Sequence, residues 1–269
     1  MSQKTHCRTE MPQLLEISNI VKEGKGQFSF FFKKKIDARP GQFLMIWLPE
    51  VDEKPMAISY LTKNEFAFTT QTIGPFTTAL ENLKIGDKLG IRGPYGNNFS
   101  IKKNTCIVGG GVGMASVSTL IDASSDPIII NGARSKDHLI YLQRYKNKKM
   151  LCTTDDGSFA RKGYTTEVLK EVLEKQKVSI VQTCGPEIMM KKVFDLCEQY
   201  KVPCEASLER YMSCGFGVCG KCMVDDQIVC VDGPIFSSEK LRVMGEFGNS
   251  ARLKSGKKVS LKEYHAIHH

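Results

Sequence analysis

The sequence contains no apolar run long enough to span a bilayer and no hydrophobic stretch of signal-peptide type near its start. We therefore expect a cytoplasmic protein that makes no membrane contact. The net charge is +9, yet no basic run is interleaved with aromatic residues, which argues against a nucleic-acid partner. This positive excess is typical of a solvated surface, and it also suits anionic cofactors or an acidic partner.

Groups suited to acid–base or nucleophilic catalysis are also scarce. The chain has five histidines, all in polar or terminal regions, and it shows no Ser/His/Asp or paired-carboxylate arrangement. We therefore expect no catalytic residue of its own. The length of 269 residues, of which 41% are hydrophobic, is sufficient for two cores and a small additional module.

Short strand-like runs, separated by turns that contain Gly and Pro, fill the first part of the chain. The runs cover residues 28–32, 43–48, 57–61 and 66–72. Several short strands at this spacing predict an antiparallel β-barrel, which we place at residues 10–101.

Strands and helices alternate in the next part of the chain. Strand-like runs at residues 106–108, 127–130, 150–154 and 178–183 are separated by helical stretches, and a further helix is expected over Glu187–Tyr200. This alternation predicts a doubly wound α/β domain with a parallel sheet, which we place at residues 102–203.

The cysteines are the most informative residues. Six of the ten are scattered, but Cys214, Cys219, Cys222 and Cys230 are close in sequence, with the spacing C-x4-C-x2-C and a fourth cysteine further on. This is the spacing of a plant-type [2Fe-2S] cluster, and glycines between the ligands allow a loop to wrap it closely. Structural zinc is the alternative metal, although zinc ribbons usually pair two C-x2-C knuckles, and unliganded cysteines are the third possibility.

Two glycine-containing turns follow strands of the predicted α/β domain. Gly110, Gly111 and Gly113 lie between a strand and a helix, where free backbone N–H groups could bind a pyrophosphate. Cys184 begins a Cys-Gly-Pro turn at the carboxyl end of another strand, which is where ligands bind in such sheets. Taken alone, the first turn is also consistent with a tight crossover, and the second is better explained as an ordinary helix start.

Together these motifs resemble the ferredoxin–NADP reductase superfamily. That resemblance implies a flavin-binding β-barrel (β), a doubly wound nucleotide-binding domain (α/β) and, at residues 204–236, a small C-terminal [2Fe-2S] module. It implies FAD contacts at Lys54, Pro55, Met56, Ala57, Ser59, Thr69, Thr70, Gln71, Gly74, Phe76 and Thr77, and nicotinamide contacts at Gly110, Gly111, Gly113 and Cys184. Lys54 and Ala57 depart from the usual Arg-Pro-x-Ser motif. Lysine lacks the guanidinium that binds a phosphate through two hydrogen bonds, and alanine lacks the hydroxyl of serine, whose hydrogen bond contributes about 1 kcal/mol.

The sequence E-R-x-M-x-C-G-x-G-x-C-x-x-C followed by C-x-D-G-P-I-F is similar, more narrowly, to electron-transfer subunits of NAD-dependent (type B) dihydroorotate dehydrogenases. The resemblance implies FAD, a [2Fe-2S] cluster and NAD as cofactors. It also implies an FMN-containing catalytic subunit as partner, in a two-plus-two heterotetramer that serves pyrimidine (UMP) biosynthesis. The basic tail at residues 237–269 receives no role.

Two other functions fit the same motifs. One is the flavin and iron–sulfur subunit of another complex, such as a soluble hydrogenase or a ferredoxin:NAD(P) oxidoreductase. The other is a zinc-stabilised binding module on a degenerate reductase fold, which the departures at Lys54 and Ala57 would suit. Arg134, placed after a predicted strand, leaves both NAD and NADP open as the nucleotide.

Overall fold

The computed structural model describes residues 11–268, and its first half is an antiparallel sheet. The sheet order is β1-β7-β4-β5-β6-β3-β2. Its strands are β1 (Gln13–Glu16), β2 (Asn19–Gly24), β3 (Gln27–Phe32), β4 (Phe43–Leu48), β5 (Asp52–Leu61), β6 (Phe66–Gln71) and β7 (Lys88–Tyr95), with helix α1 (Pro75–Glu81) between β6 and β7.

This sheet curls into a barrel because its two edge strands are consecutive in the chain. Only two residues separate β1 from β2, and Ser18 between them donates its backbone N–H to the carbonyl of Phe31 at 2.8 Å. Alternate residues of β3 and β6 point into the interior, where Phe30 and Phe68 stack with ring centroids 5.2 Å apart. These aromatic cross-strand pairs stabilise the barrel core.

The second half contains a largely parallel sheet in the order β11-β10-β9-β8-β12-β13-β16, in which only β16 is antiparallel. The order reverses between β8 and β12, and ligands bind at this point in open α/β sheets. The elements are β8 (Thr105–Gly110), α2 (Gly113–Ala123), β9 (Ile128–Ala133), β10 (Met150–Thr154), β11 (Arg161–Lys162), α3 (Thr165–Lys175), β12 (Ile180–Cys184), α4 (Glu187–Tyr200) and β13 (Cys204–Ser207).

The C-terminal part is folded onto this sheet. Its elements are β14 (Met223–Val224), β15 (Gln227–Ile228), α5 (Val229–Asp232), β16 (Ile235–Ser237), α6 (Ser238–Val243), β17 (Ser250–Arg252), β18 (Lys258–Ser260) and α7 (Leu261–His268). The segment expected to be only a basic tail contains α6, a hairpin and α7. It is held by Leu241 and Phe247, which are 2% and 1% exposed, and the Phe247 ring packs against Phe194 of α4.

These elements confirm the architecture expected from the sequence, an antiparallel barrel followed by an α/β domain and a small C-terminal part that carries the clustered cysteines. The domain boundaries stay predictions, and β13 and β16, from the predicted cluster module, lie within the α/β sheet. In the described part of the chain, no helix has both the length and the apolar character needed to cross a membrane.

Candidate functional site

The loop that carries the first three cysteines of the cluster motif depends on glycine. Gly215, Gly217 and Gly220 have φ values of 81°, 89° and 67°, a region that other residues rarely adopt. A Cβ on Gly215 would lie 2.6 Å from the Met45 side chain, and one on Gly217 would lie 2.7 Å from Val231. The loop therefore packs against the barrel and against α5 at positions where only glycine fits.

The four cysteines differ in burial and in their tendency to ionise. Cys222 and Cys230 are buried, Cys214 is half-buried and Cys219 is exposed. Burial opposes ionisation of Cys214, but hydrogen bonds from the backbone of Cys219 and Phe216 outweigh it and lower its pKa to about 7. A hydrogen bond from the Cys230 thiol lowers the pKa of Cys222 to about 7, and it raises the pKa of Cys230. Thiolates are the form that binds metal.

The cysteines lie in two pairs. Cys214 is hydrogen-bonded to Cys219, and the backbone N–H of Cys230 lies 3.5 Å from the Cys222 sulfur. Among the described residues, no group of three or more His, Cys, Asp or Glu side chains is arranged to hold one metal ion. A single zinc would need all its ligands around one point. A [2Fe-2S] cluster has two irons that share four thiolates, so the paired arrangement and the glycine loop fit it better.

Three consecutive residues before the cysteines connect this loop to the other candidate sites. The Glu209 carboxylate lies 3.8 Å from the Cys184 sulfur. Arg210 forms a bidentate ion pair with Glu187 at the start of α4. The Tyr211 ring lies 5.0 Å from the Lys54 ammonium on β5. Sequence reasoning assigned no role to these three residues, although Glu209 and Arg210 are specified in the motif that carries the family resemblance.

The nicotinamide-side candidates meet where the sheet order reverses. A Cβ on Gly113 would lie 2.5 Å from the Gly185 Cα, so the turns after β8 and β12 are in direct contact. Gly111 has a φ of 54° and open space around its Cβ position, and Gly110 is buried at the end of β8. The Cys184 thiol is fully buried, and burial raises its pKa, so it is a neutral thiol at physiological pH.

The flavin-motif residues of β5 divide into two groups. Lys54 bonds to Asp52 at 2.5 Å, and with Pro55, Met56 and Ala57 it remains partly exposed. Ser59 is fully buried, and its hydroxyl accepts a hydrogen bond from Thr69 at 2.7 Å.

The remaining flavin candidates lie on β6 and at the start of α1. Thr70 is buried and Gln71 is half-buried at the end of β6. The Thr77 hydroxyl accepts hydrogen bonds from the backbone of Ile73 and Gly74 at 2.9 and 3.1 Å, which fixes the turn before α1. The Phe76 ring belongs to the barrel core, so this residue can offer a ligand only its backbone. Ligand contacts of all these residues stay predictions.

Comparisons with known proteins agree on one family. The iron–sulfur cluster binding domain of dihydroorotate dehydrogenase B matches residues 209–242. A probable dihydroorotate dehydrogenase B (NAD(+)), electron transfer subunit from Methanocaldococcus jannaschii is 45% identical over 258 residues, which is 93% of this chain and 99% of that protein. The corresponding protein of Pyrococcus horikoshii is 41% identical, over 85% of this chain and 91% of its own.

Solved structures show the same architecture. The structure of an NADH-dependent reduced ferredoxin-NADP oxidoreductase, studied for flavin-based electron bifurcation, superposes with a TM-score of 0.75 and 32% identity, over 84% of this chain and 89% of its own. Phthalate dioxygenase reductase has a TM-score of 0.62 at 15% identity, over 78% and 85% of the two chains, which shows the fold alone. By its sequence, its cluster loop and its architecture, this chain belongs to the family of dihydroorotate dehydrogenase B (NAD(+)) electron transfer subunits.

Proposed function

We propose that this chain carries electrons from the FMN of a dihydroorotate dehydrogenase catalytic subunit, through a [2Fe-2S] cluster and FAD, to NAD+, and so serves pyrimidine (UMP) biosynthesis. The observation that carries the proposal is the cysteine loop at residues 214–222, which packs on a reductase core. Its relative from M. jannaschii is named as such a subunit and matches over almost its whole length.

The arrangement of carriers follows from their chemistry. When bound, flavin exchanges two electrons with a nicotinamide and single electrons with an iron–sulfur cluster, so it is needed between the two. In this chain, Cys214, Cys219, Cys222 and Cys230 hold the cluster. The two glycine turns at Gly113 and Cys184 bind the nucleotide.

FAD is held between the barrel and the α/β domain. Lys54 neutralises part of its pyrophosphate, and the rest of the β5 motif, with β6 and the turn before α1, lines the site. The contacts are Lys54, Pro55, Met56, Ala57, Ser59, Thr69, Thr70, Gln71, Gly74, Phe76 and Thr77. Because Lys54 already bonds to Asp52 and lies over the Tyr211 ring, it acts as a positioned point charge rather than a bidentate fork.

The partner is the catalytic subunit that oxidises dihydroorotate, two copies with two of this chain, in the cytoplasm. A second function is favoured by the solved NADH-dependent reduced ferredoxin-NADP oxidoreductase, which covers 84% of this chain at 32% identity. In that case the partner would be a subunit of a bifurcating complex instead of a dihydroorotate dehydrogenase.

Anaerobic co-purification with the neighbouring catalytic subunit, followed by a dihydroorotate:NAD+ assay, decides between them. We expect a complex that contains FMN, FAD and two irons per electron-transfer chain, and that reduces NAD+ with dihydroorotate. If a complete, cofactor-loaded complex reduces NAD+ only with reduced ferredoxin, the second function is correct. A colourless protein that contains one zinc would contradict both.

A further inference from the structure

The buried arginine Arg92, on barrel strand β7, joins the barrel to the cluster loop. Arg92 is 9% exposed. Its guanidinium forms two hydrogen bonds with the Glu53 carboxylate, from Nε at 2.8 Å and from Nη2 at 2.5 Å. The same Nη2 donates to the backbone carbonyl of Cys214 at 3.1 Å. A single side chain thus links a carboxylate of β5 to the first cysteine of the motif.

Two aromatic rings hold the guanidinium in place. It lies 5.6 Å from the Phe216 ring centroid and 5.8 Å from that of Tyr95, and its Nη1 donates to the Tyr95 hydroxyl at 3.4 Å. Phe216 belongs to the cluster loop and Tyr95 to the barrel, so the contacts again join these two parts. With its planar fork engaged on several sides, Arg92 has one fixed orientation relative to the Cys214 backbone.

The charges of this pair are arranged with the positive group toward the loop. Arg92 contacts the Cys214 carbonyl directly, whereas the structure connects Glu53 to the loop through Arg92. Glu53 also borders a cavity of about 680 Å³ that Trp47, Cys214 and Phe216 line. Its side chain is 20% exposed, so water screens the carboxylate more than the buried guanidinium.

Reduction adds a negative charge to an iron–sulfur cluster, so a nearby cation stabilises the reduced state and a nearby anion destabilises it. Hydrogen bonds and charges around the ligands are recognised levers of cluster potential. We propose that Arg92 and Glu53 set the reduction potential of the cluster: Arg92 raises it through Cys214, and Glu53 orients Arg92 and limits that rise. This inference depends on the cluster of the proposed function, and it makes Arg92 a positioning residue rather than a catalytic one.

The test is an EPR-monitored redox titration of the full chain with its cofactors loaded. Arg92→Gln should shift the cluster midpoint potential downward, because Glu53 is then left without its partner. Glu53→Gln should shift it upward, because the cation is then unopposed. Arg92→Lys keeps the charge without the fork, and we expect a smaller downward shift than for Arg92→Gln.

The matched controls are Arg161→Gln and Glu171→Gln. These residues form an exposed Arg–Glu pair, 2.5 Å apart, that joins β11 to α3 at the opposite edge of the α/β sheet from β13 and β16. We expect no shift from either control variant.

Midpoint potentials that shift in opposite directions in Arg92→Gln and Glu53→Gln distinguish this inference from a purely structural role of Arg92. If Arg92 only held the loop, Arg92→Gln and Glu53→Gln would shift the potential in the same direction or only reduce cluster content. Either result, or unchanged potentials in both variants, would overturn the inference while the proposed function stands. If the wild-type chain binds no iron–sulfur cluster at all, the proposed function fails, and this inference fails with it. If Arg92→Gln does not fold, the inference is still tested by the directions in which Glu53→Gln and Arg92→Lys shift the midpoint potential.

Discussion

Arg210 is the residue that ties the start of the cluster loop to the nucleotide side of the molecule. Its side chain is 2% exposed and that of its partner Glu187 is 8% exposed. Glu187 also accepts a hydrogen bond from the backbone of Gly248 at 2.8 Å, so the ion pair holds α4, the cluster loop and the C-terminal segment together. A buried pair of this kind is costly to break because the remaining charge has no partner.

We expect Arg210→Met to reduce the free energy of unfolding by about 3–5 kcal/mol, since it leaves Glu187 charged and buried. The double variant Arg210→Met/Glu187→Leu should recover most of that loss, because two apolar residues need no partner. Urea denaturation of the cofactor-loaded chain measures both. A single variant as stable as the wild type would contradict this view of the pair.

At the scale of single residues, the sequence points to candidate ligands where a function requires a fixed spacing in the chain, and the metal contacts of these residues stay predictions. The four cysteines and their glycines stand close together, so their pattern was visible. The bond from Arg92 to Cys214 joins residues 122 positions apart. Neither periodicity nor spacing in the sequence predicts such a contact. The ion pair of Arg210 with Glu187 could not be predicted for the same reason. The individual FAD and nicotinamide contacts stay predictions.

Among the elements, the two turns after β8 and β12, where we propose that the nucleotide binds, are in direct contact. Their backbones touch at Gly113 and Gly185, which leaves no room for a side chain on Gly113. Gly111 belongs to the same turn, but its Cβ position faces open space. Substitutions at these two glycines therefore distinguish the effect of a steric clash, at Gly113, from that of backbone strain, at Gly111.

Gly113→Ala should weaken NADH binding at least about tenfold, because the turns must separate by more than the packed backbone allows. Gly111→Ala carries only the cost of a left-handed backbone, about 1–2 kcal/mol of stability, and should bind NADH with a smaller loss. Anaerobic isothermal titration of the FAD-loaded protein, fully reduced beforehand so that NADH binds without reacting, measures both affinities. Equal affinities for the two variants would show that the contact between the turns does not shape the site.

Element prediction was most successful for strongly periodic segments. The helix Glu187–Tyr200 has the bounds that were expected, and the strand over 43–48 is also unchanged. The C-terminal segment was missed because its helices and strands are short and its sequence is polar. A few apolar side chains, such as Leu241 and Phe247, anchor it, and they are buried in a core built from distant parts of the chain, such as Phe194 of α4, rather than by local pattern.

At the scale of the whole molecule, Arg144 joins the α/β domain to the barrel. Its guanidinium stacks 3.6 Å from the Tyr60 ring and donates to the Ser59 carbonyl at 2.9 Å, while it also pairs with Asp122 of α2. The Ser118 hydroxyl of α2 donates to the same carbonyl at 2.6 Å. These contacts fix the orientation of the two domains that must bring flavin and nicotinamide together.

We expect Arg144→Ala to slow reduction of FAD by NADH by about tenfold to a hundredfold, because small misplacement of reacting groups has effects of this size. The FAD content of this variant should remain close to that of the wild type. The rate for Arg144→Lys should lie between those of Arg144→Ala and the wild type, since lysine keeps the charge without the planar fork. Stopped-flow absorbance of the flavin gives the rate. Arg161→Ala, at the far edge of the sheet, serves as the control, and an equal effect there would contradict the assignment.

The central claim is that electrons reach NAD+ only through the four-cysteine loop. Rapid-freeze EPR of the anaerobic complex, mixed with dihydroorotate and NAD+, tests this most directly, alongside a complex that contains Cys219→Ser. We predict that the reduced-cluster signal appears before NADH accumulates in the wild-type complex. In the variant, the signal and dihydroorotate-driven NADH formation should both be lost, although NADH still reduces FAD. NADH formation at the wild-type rate in a complex without a cluster would contradict the account.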